Sequence, residues 1–217
     1  MEYTDLSGSG YVLAKLPDSI IKGCDEIIKN VIENPEKQDS HNHQLAGHIK
    51  KEYRINPPMG LDSFLDEMIE VHKDNNSHVS SCKKINDQAF TLELTDFWVN
   101  LQQKYEFNPI HNHAGVFSFV IWNKIPFHFE DEDSVFPETS SGYSGGRFCF
   151  VYPNSKGDIV NHSIETDNKK EGYICLFPST LNHLVNPFYT SDEYRISMSG
   201  NIKFNTRIPG FPLEMEL

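Results

Sequence analysis

Two segments in the first third of the chain carry apolar residues at the three- and four-residue spacing of an amphipathic helix. The first runs from Pro17 to Asn34, where an Asn-Pro pair is expected to end it. The second runs from Gly60 to Asp74, and Asp62 or Ser63 is expected to cap its start. The pattern therefore predicts two helices, each with one apolar stripe to bury.

From Phe90 onward the pattern changes to short runs rich in β-branched and aromatic residues, bounded by Gly, Pro, Asn and Ser. These runs are FWVNLQ, VFSFVIW, GRFCFVY, GDIVNHSI, GYICLF and EYRISMSGNIKF. Helices followed by many strands predict an α+β chain that is mainly β, a sandwich or barrel with N-terminal helices packed outside. The acidic and Ser/Gly-rich segment from Ile125 to Gly146 is predicted to be a solvated loop, with a mobile lid as the alternative.

The length of 217 residues is that of one domain, with enough chain to bury a core without disulfides or structural metal. We expect a helical layer over residues 1–88, a β-rich core over residues 89–206 and a tail over residues 207–217. The four cysteines form no CxxC pair, which argues against a zinc ribbon. Cys149 and Cys175 lie in apolar runs and are expected to be buried free thiols.

The charge of the chain argues against two classes of partner. It has 31 Asp+Glu against 19 Lys+Arg and a formal net charge of −12, which disfavours nucleic acids and anionic membranes. The N-terminus lacks the features of a signal peptide, and no apolar run approaches the ~18 residues of a membrane span. A soluble, cytoplasmic protein is expected.

The segment NPIHNHAG places His111 and His113 one residue apart. On an extended strand, residues i and i+2 point to the same face, so both imidazoles can converge on one Fe, Zn, Cu or Ni ion. His41 and His43 have the same spacing in a polar, loop-like context, and we do not expect them to bind metal.

Two downstream residues distinguish the His111/His113 pair. His183 follows a tight Pro-Ser turn and is predicted to start a strand. Arg195 lies in an alternating run that places Arg195, Ser197 and Ser199 on one strand face. An arginine that points into a barrel needs an anionic partner, because a buried unpaired charge is costly. A guanidinium can bind a carboxylate through two hydrogen bonds.

These residues, taken in order, resemble a known family. The matching pieces are Trp98-Val-Asn100, His111-x-His113, Ser118 to Trp122, Phe177-Pro-Ser179, His183, Pro187 and Arg195-Ile-Ser197. Together they resemble the Fe(II)- and 2-oxoglutarate-dependent oxygenases, which have a double-stranded β-helix (jelly-roll) fold. Within them, the chain looks most like the prolyl-hydroxylase-like group of small, often phage-encoded, oxygenases. The resemblance covers residues 90–204.

The resemblance implies that His111, His113 and His183 ligate Fe(II). It also implies that Arg195 pairs with the distal carboxylate of 2-oxoglutarate and that Ser197 assists it. Asn100 precedes the histidine motif, and because a buried amide needs hydrogen-bond partners, we expect it to contact the cosubstrate or a metal ligand. The implied reaction hydroxylates an unidentified small-molecule or peptide substrate and releases succinate and CO₂. A homodimer is a candidate assembly, and the host cytoplasm is the expected location for a phage-encoded protein.

The chain departs from the family pattern at His113, where the family usually has Asp or Glu. Three interpretations stay open: His113 is a third imidazole ligand, a nearby carboxylate substitutes, or the site is degenerate. A neutral ligand leaves the iron centre more positive by one charge.

Three further residues are candidates for the pocket wall, namely Trp98, Phe117 and Asn201. Core packing is the alternative for both aromatic residues, and a structural role is the alternative for Asn201.

Two rival functions remain. A cupin-like three-histidine enzyme would not use 2-oxoglutarate, but cupins usually add a Glu shortly after the second histidine, and Val116 to Lys124 contains none. A non-enzymatic jelly-roll protein with a vestigial site would bind no metal at the three histidines.

Overall fold

The computed structural model describes residues 1–42, 47–82, 91–135 and 145–205. Its helices are α1 (Asp18–Glu33), α2 (Leu61–Asn75), α3 (His78–Cys82) and α4 (Phe129–Ser134). Both helices predicted from apolar periodicity are confirmed. The predicted cap of α2 is wrong: the helix begins after Gly60, at φ 87°, and Asp62 and Ser63 lie inside its first turn. Glycine suits this position because it reaches positive φ without a steric penalty.

Twelve strands are present in the described ranges. They are β1 (Glu2–Leu6), β2 (Ser9–Lys15), β3 (Asp39–Ser40), β4 (Glu52–Arg54), β5 (Thr91–Gln102), β6 (Asn108–His111), β7 (Phe117–Lys124), β8 (Phe148–Pro153), β9 (Ile159–Ile164), β10 (Tyr173–Pro178), β11 (His183–Val185) and β12 (Arg195–Asn205).

The strands form two antiparallel sheets. The large sheet has the order β1-β2-β10-β7-β12-β5-β4-β3, and the small sheet has the order β6-β11-β8-β9. Strands that are distant in sequence are neighbours in both sheets, as β12 between β7 and β5 shows. The prediction of a mainly β chain with helices packed outside is confirmed.

The first 88 residues are not only a helical layer, as the sequence predicted. They also supply β1 to β4, at the two edges of the large sheet. The hairpin of β1 and β2 turns at Ser7 and Gly8, which both have positive φ, and β2 then pairs with β10. The strands β3 and β4 have only two and three residues, and β4 pairs with the distant strand β5, which local periodicity does not detect.

The large sheet separates two apolar clusters. Along β7, Phe117, Phe119 and Ile121 face α1 and α2, whereas Val120 and Trp122 face the small sheet. This alternation follows from the two-residue period of a strand. The inner face, between the two sheets, is therefore where convergent polar side chains can enclose a site.

All four cysteines lie in the described ranges and are free, with Cys24, Cys149 and Cys175 buried. None of the described helices is long and apolar enough to cross a membrane. The predicted loop from Ile125 to Gly146 contains α4, and its residues 136–144, like His43 and the predicted tail, lie outside the described residues.

Candidate metal centre and adjoining cavity

Three histidines from different elements converge between the sheets. His111 is the last residue of β6 and lies opposite His183, the first residue of β11. His113 lies in the turn after β6, rather than on the strand as its spacing suggested, and still faces the other two. The ring centroids are 4.2 Å apart for His111–His183, 5.0 Å for His111–His113 and 5.1 Å for His113–His183. One nitrogen from each ring lies within 4.8 Å of the others, a separation that fits three ligands of one metal ion.

Backbone carbonyls orient two of the rings. Nδ1 of His111 donates to the Pro109 carbonyl at 2.7 Å, and Nδ1 of His183 donates to the Leu181 carbonyl at 3.0 Å. A carbonyl oxygen only accepts, so each ring carries its proton on Nδ1 and keeps the Nε2 lone pair free for a metal. The backbone N–H of His113 donates to the Ser179 carbonyl at 2.8 Å and so fixes the turn that carries the third ring.

The three rings are neutral at neutral pH. Burial lowers the pKa of His111, lowers that of His113 to about 4 and lowers that of His183 well below its usual range. Neutral imidazole is the form that binds a divalent metal. Among the described residues no carboxylate joins the group, and nearby Asp96 is engaged by Arg54 at 3.7 Å and Lys203 at 3.3 Å.

A cavity adjoins the histidines on the inner face of the large sheet. Its polar lining comes from Glu52, Asn100, Gln102, Asn108, Arg195, Ser197 and Ser199, with the three histidines. Its apolar lining includes Ile49, Trp98, Val120, Trp122, Phe148, Phe177 and Val185. Phe148 and Phe177 pack against the ring of His183, with centroids at 5.4 Å and 4.9 Å, and shield it from solvent.

Arg195 is a buried cation in this cavity. Its residue exposure is 2%, and its Nη1 donates to the Gly146 carbonyl at 2.9 Å. Within the described ranges no carboxylate forms an ion pair with it. Burial lowers its pKa to about 10, so the guanidinium remains charged at neutral pH. A buried cation without an anion is costly, and an anionic ligand would remove that cost.

A chain of hydrogen bonds runs along the sheet beside Arg195. Nε1 of Trp98 donates to Oδ1 of Asn100 at 3.1 Å, and Nδ2 of Asn100 donates to Oγ of Ser197 at 3.2 Å. Ser197 lies opposite Asn100 in the pairing of β12 with β5, and Arg195 lies opposite Gln102. The predicted residues Asn100, Arg195 and Ser197 therefore line one cavity, although Ser197 bonds to Asn100 rather than to Arg195 in this arrangement.

The three candidate wall residues have different positions. Trp98 lines the cavity, and its ring centroid is 5.9 Å from that of His113. Phe117 does not line it: it faces the helices, where it contacts the rings of His72 and His78. Odd-numbered residues of β7 point to that side of the sheet, which is why a position close to the histidines in sequence faces away from them. Asn201 accepts a hydrogen bond from Ser118 at 2.8 Å and is not among the lining residues.

Sequence reasoning did not find Glu52 and Gln102. Both lie at buried positions, and Gln102 donates to the Glu106 carbonyl at 2.7 Å. Gln102 could have been found, because it shares strand parity with Asn100. Glu52 had no such signal, because it lies in the polar run KKEYRI, whose short strand β4 forms by pairing with β3 and β5.

A second group, of His128, Glu130 and Asp167, also brings three potential ligand atoms together. His128 and Glu130 are exposed, and Asp167 already accepts from the backbone of Lys169. We assign no metal to this group.

Residues 96–201 match a family model described as "Putative 2OG-Fe(II) oxygenase". The resemblance to the Fe(II)- and 2-oxoglutarate-dependent oxygenases is confirmed. The matched range contains the three histidines and Arg195. The match supports general oxygenase function, with Fe(II) and 2-oxoglutarate as the cofactors of the family. Among curated proteins, no sequence matches this chain at a significant level.

The chain is similar to several solved structures. A prolyl-4-hydroxylase from Pseudomonas putida superposes with a TM-score of 0.51 at 14% identity, covering 90% of this chain and 92% of its own. EvdMO1 superposes with a TM-score of 0.50 at 12% identity, covering 91% of this chain and 48% of its own. A viral collagen prolyl hydroxylase from Paramecium Bursaria Chlorella virus-1, solved as a 2-oxoglutarate complex, gives 0.44 at 13% identity, with coverages of 88% and 94%. The first of these likenesses confirms the predicted jelly-roll fold.

Proposed function

We propose that this oxygenase hydroxylates a C–H bond of a small-molecule or peptide substrate, consuming O₂ and 2-oxoglutarate and releasing succinate and CO₂. In this reaction one oxygen atom enters the product and the other enters succinate. We assign Fe(II) to His111, His113 and His183, and the distal carboxylate of 2-oxoglutarate to Arg195. The observation that carries the proposal is the buried Arg195, which shares one cavity with three neutral histidines.

The side chains of this site are suited to binding and orientation. Bound Fe(II) and 2-oxoglutarate would supply the oxidising chemistry that the side chains themselves lack. The Pro109 and Leu181 carbonyls hold the Nε2 atoms of His111 and His183 toward the metal position. Arg195 supplies two-point recognition of a carboxylate, and Asn100 and Ser197 line the adjoining wall. Phe148 and Phe177 exclude water beside His183.

Anaerobic titration of the protein with Fe(II) and 2-oxoglutarate tests the proposal. We expect the weak visible absorption band of an iron–2-oxoglutarate chelate, followed by succinate formation when O₂ is admitted. If neither the band nor succinate is seen, the protein does not have this function.

The same titration separates the proposal from the two rivals. A cupin-like enzyme would bind Fe(II) but show no dependence on 2-oxoglutarate, and a vestigial site would bind neither. The cupin alternative also leaves the buried charge of Arg195 without a purpose, and for that reason we favour the oxygenase.

The remaining expectations stay predictions. We propose that the chain works as a single unit, with its N-terminal elements completing the large sheet, because β2 and β4 pair with strands of the matched region. The predictions of a cytoplasmic location, a homodimer and the absence of a nucleic-acid partner are unchanged.

A further inference from the structure

Glu52 lines the same cavity as the histidines and Arg195, yet neither iron nor 2-oxoglutarate binding accounts for it. It lies opposite Asn100 in the pairing of β4 with β5, so both side chains belong to the inner face. Its exposure is 3%. One carboxyl oxygen, Oε2, accepts from Nδ2 of Asn42 at 3.4 Å, and the other, Oε1, has no hydrogen-bond partner.

This carboxyl group is not explained by structural stabilisation. Within the described ranges no lysine or arginine forms an ion pair with it, whereas the carboxyl of Glu106 lies close enough to disfavour a second negative charge. Burial and Glu106 raise the pKa of Glu52 to about 8. A buried acid without a cation costs stability, and such a cost is commonly kept where a ligand is bound.

Glu52 is also separate from the metal centre. Its carboxyl oxygens are not in the group of atoms that lie within 4.8 Å of one another around the three histidines. Three adjacent strands form a row of Ser197, Asn100 and Glu52, with Asn100 in the middle. At about 4.8 Å between strands, Glu52 is about 10 Å from Ser197 along the sheet. A cosubstrate at Arg195 and Ser197 would therefore lie on the opposite side of Asn100 from Glu52.

We propose that Glu52 determines substrate specificity by binding a cationic nitrogen group, an ammonium or a guanidinium, of the molecule that is oxidised. The inference rests on the proposed function and names the substrate class of the same site. A cation supplies the hydrogen-bond donors that Oε1 lacks, and its charge favours the ionised form of Glu52 that burial and Glu106 disfavour. Ile49 and Trp98 beside Glu52 offer apolar surface to the aliphatic part of such a substrate. The net charge of −12 favours the approach of a cation.

Matched pairs of small probes test this inference. The full chain is loaded with Mn(II), which binds like Fe(II) without turnover, and titrated with L-lysine, L-norleucine, L-arginine or L-citrulline. Each side chain is also presented at the centre of an Ala-Gly-X-Gly-Ala pentapeptide. Binding is followed by tryptophan emission, because Trp98 and Trp122 both line the cavity. The titrations are repeated with and without 2-oxoglutarate, whose own affinity is measured separately.

We expect the cationic member of at least one pair to bind about ten- to a hundredfold more tightly than its uncharged partner in the unmodified protein. Glu52→Gln should remove that preference, whereas Glu52→Asp, which keeps a carboxylate, should retain part of it. Glu93→Gln is the matched control, because it makes the same change of charge at an exposed position of the same sheet. The affinity for 2-oxoglutarate should be unchanged in all three variants.

Several results would overturn the inference: equal binding of both members of every pair, no binding of any cationic probe, or an unchanged preference in Glu52→Gln. Loss of 2-oxoglutarate binding in Glu52→Gln would assign this residue to the cosubstrate instead. Failure of 2-oxoglutarate to bind to the unmodified, metal-loaded protein would contradict the proposed function. In that case, the comparison of lysine with norleucine would still test whether Glu52 binds a cationic group.

Discussion

At the scale of single residues, a substitution of Arg195 tests 2-oxoglutarate binding separately from metal binding. Its guanidinium lies in the same cavity as the histidines and donates to the Gly146 carbonyl at 2.9 Å. Arg195→Ala should weaken 2-oxoglutarate binding by about ten- to a hundredfold, because a charge-assisted pair in a buried site is lost. Metal affinity should be nearly intact, and both are measured by titration with Mn(II) and 2-oxoglutarate.

The matched control is Arg147→Ala. Arg147 forms a partly exposed, two-point pair with Asp133 at 2.7 and 2.8 Å, outside the cavity. The Arg147→Ala variant should bind Mn(II) and 2-oxoglutarate with unchanged affinity. If Arg195→Ala weakens metal and 2-oxoglutarate binding equally, Arg195 stabilises the fold rather than binds the cosubstrate.

His113 is the residue at which this chain departs from the family pattern. If it is the third ligand, His113→Ala should bind Fe(II) distinctly less well, by about tenfold or more, because one of three ligand bonds is lost. His113→Asp should still hold iron, since a carboxylate is a suitable ligand. Isothermal titration with Fe(II) under nitrogen measures both variants, and unchanged affinity in His113→Ala would place this imidazole outside the metal coordination.

At the scale of elements, the short helix α4 depends on a buried carboxylate. Glu132 is fully buried and accepts from the backbone N–H groups of Tyr189 and Thr190 at 2.8 to 3.0 Å. These bonds attach α4 to the segment that leads into β12. Glu132→Ala should lower the free energy of unfolding by about 1–3 kcal/mol, because it leaves buried N–H groups without acceptors.

The neighbouring acid on α4 gives a comparison. Asp133 pairs with Arg147 at a partly exposed position, so Asp133→Asn should cost less than ~1 kcal/mol. Urea unfolding followed by circular dichroism measures both variants. If both variants lose the same free energy of unfolding, the buried hydrogen bonds of Glu132 contribute no more to stability than the partly exposed pair of Asp133.

The elements differ in how far the sequence predicts them. The helices α1 and α2 are predictable, because their apolar stripes pack on the large sheet and leave a periodic signal. The strands after residue 90 leave a similar signal of period two. By contrast, β4 has three residues, and its pairing with β5 creates it. The helix α4 is acidic and lies in a segment whose composition is that of a loop, so its tertiary contacts, through the buried residues Phe129 and Glu132, explain it.

The residues of the candidate site also differ in how far the sequence predicts them. His111, His183 and Arg195 could be found because each lies in or beside a strand with a readable pattern. Phe117 was placed on the wrong face because the parity of β7 depends on the register with β12, where Ile202 lies opposite it. Glu52 could not be found, because a single acid in a polar run has many exposed counterparts in this chain. Long-range pairing alone brings it to the inner face.

At the scale of the whole molecule, acid stability should depend on the contact between α2 and the large sheet. His72 of α2 is fully buried there, with its ring against Phe117, Tyr3 and His78. Burial lowers the pKa of His72 to about 4, from 6.5 in the unfolded chain. The folded state therefore binds fewer protons than the unfolded state between these two values. The stability that His72 contributes is present above pH 6.5 and is lost as the pH falls toward 4.

This loss of stability can be measured in the metal-free protein. There the three histidines of the cavity, whose pKa values are also lowered, contribute to the same loss as the pH falls. The free energy of unfolding is obtained from urea titrations at several pH values between 7 and 4. In His72→Phe, which keeps an aromatic ring against Phe117, the slope with pH should be smaller by up to ~1.4 kcal/mol per pH unit, the value for one proton. His128→Gln, at an exposed histidine outside both clusters, is the control and should keep the original slope. If His72→Phe also keeps the original slope, proton uptake at the α2 interface does not limit the acid stability of this fold.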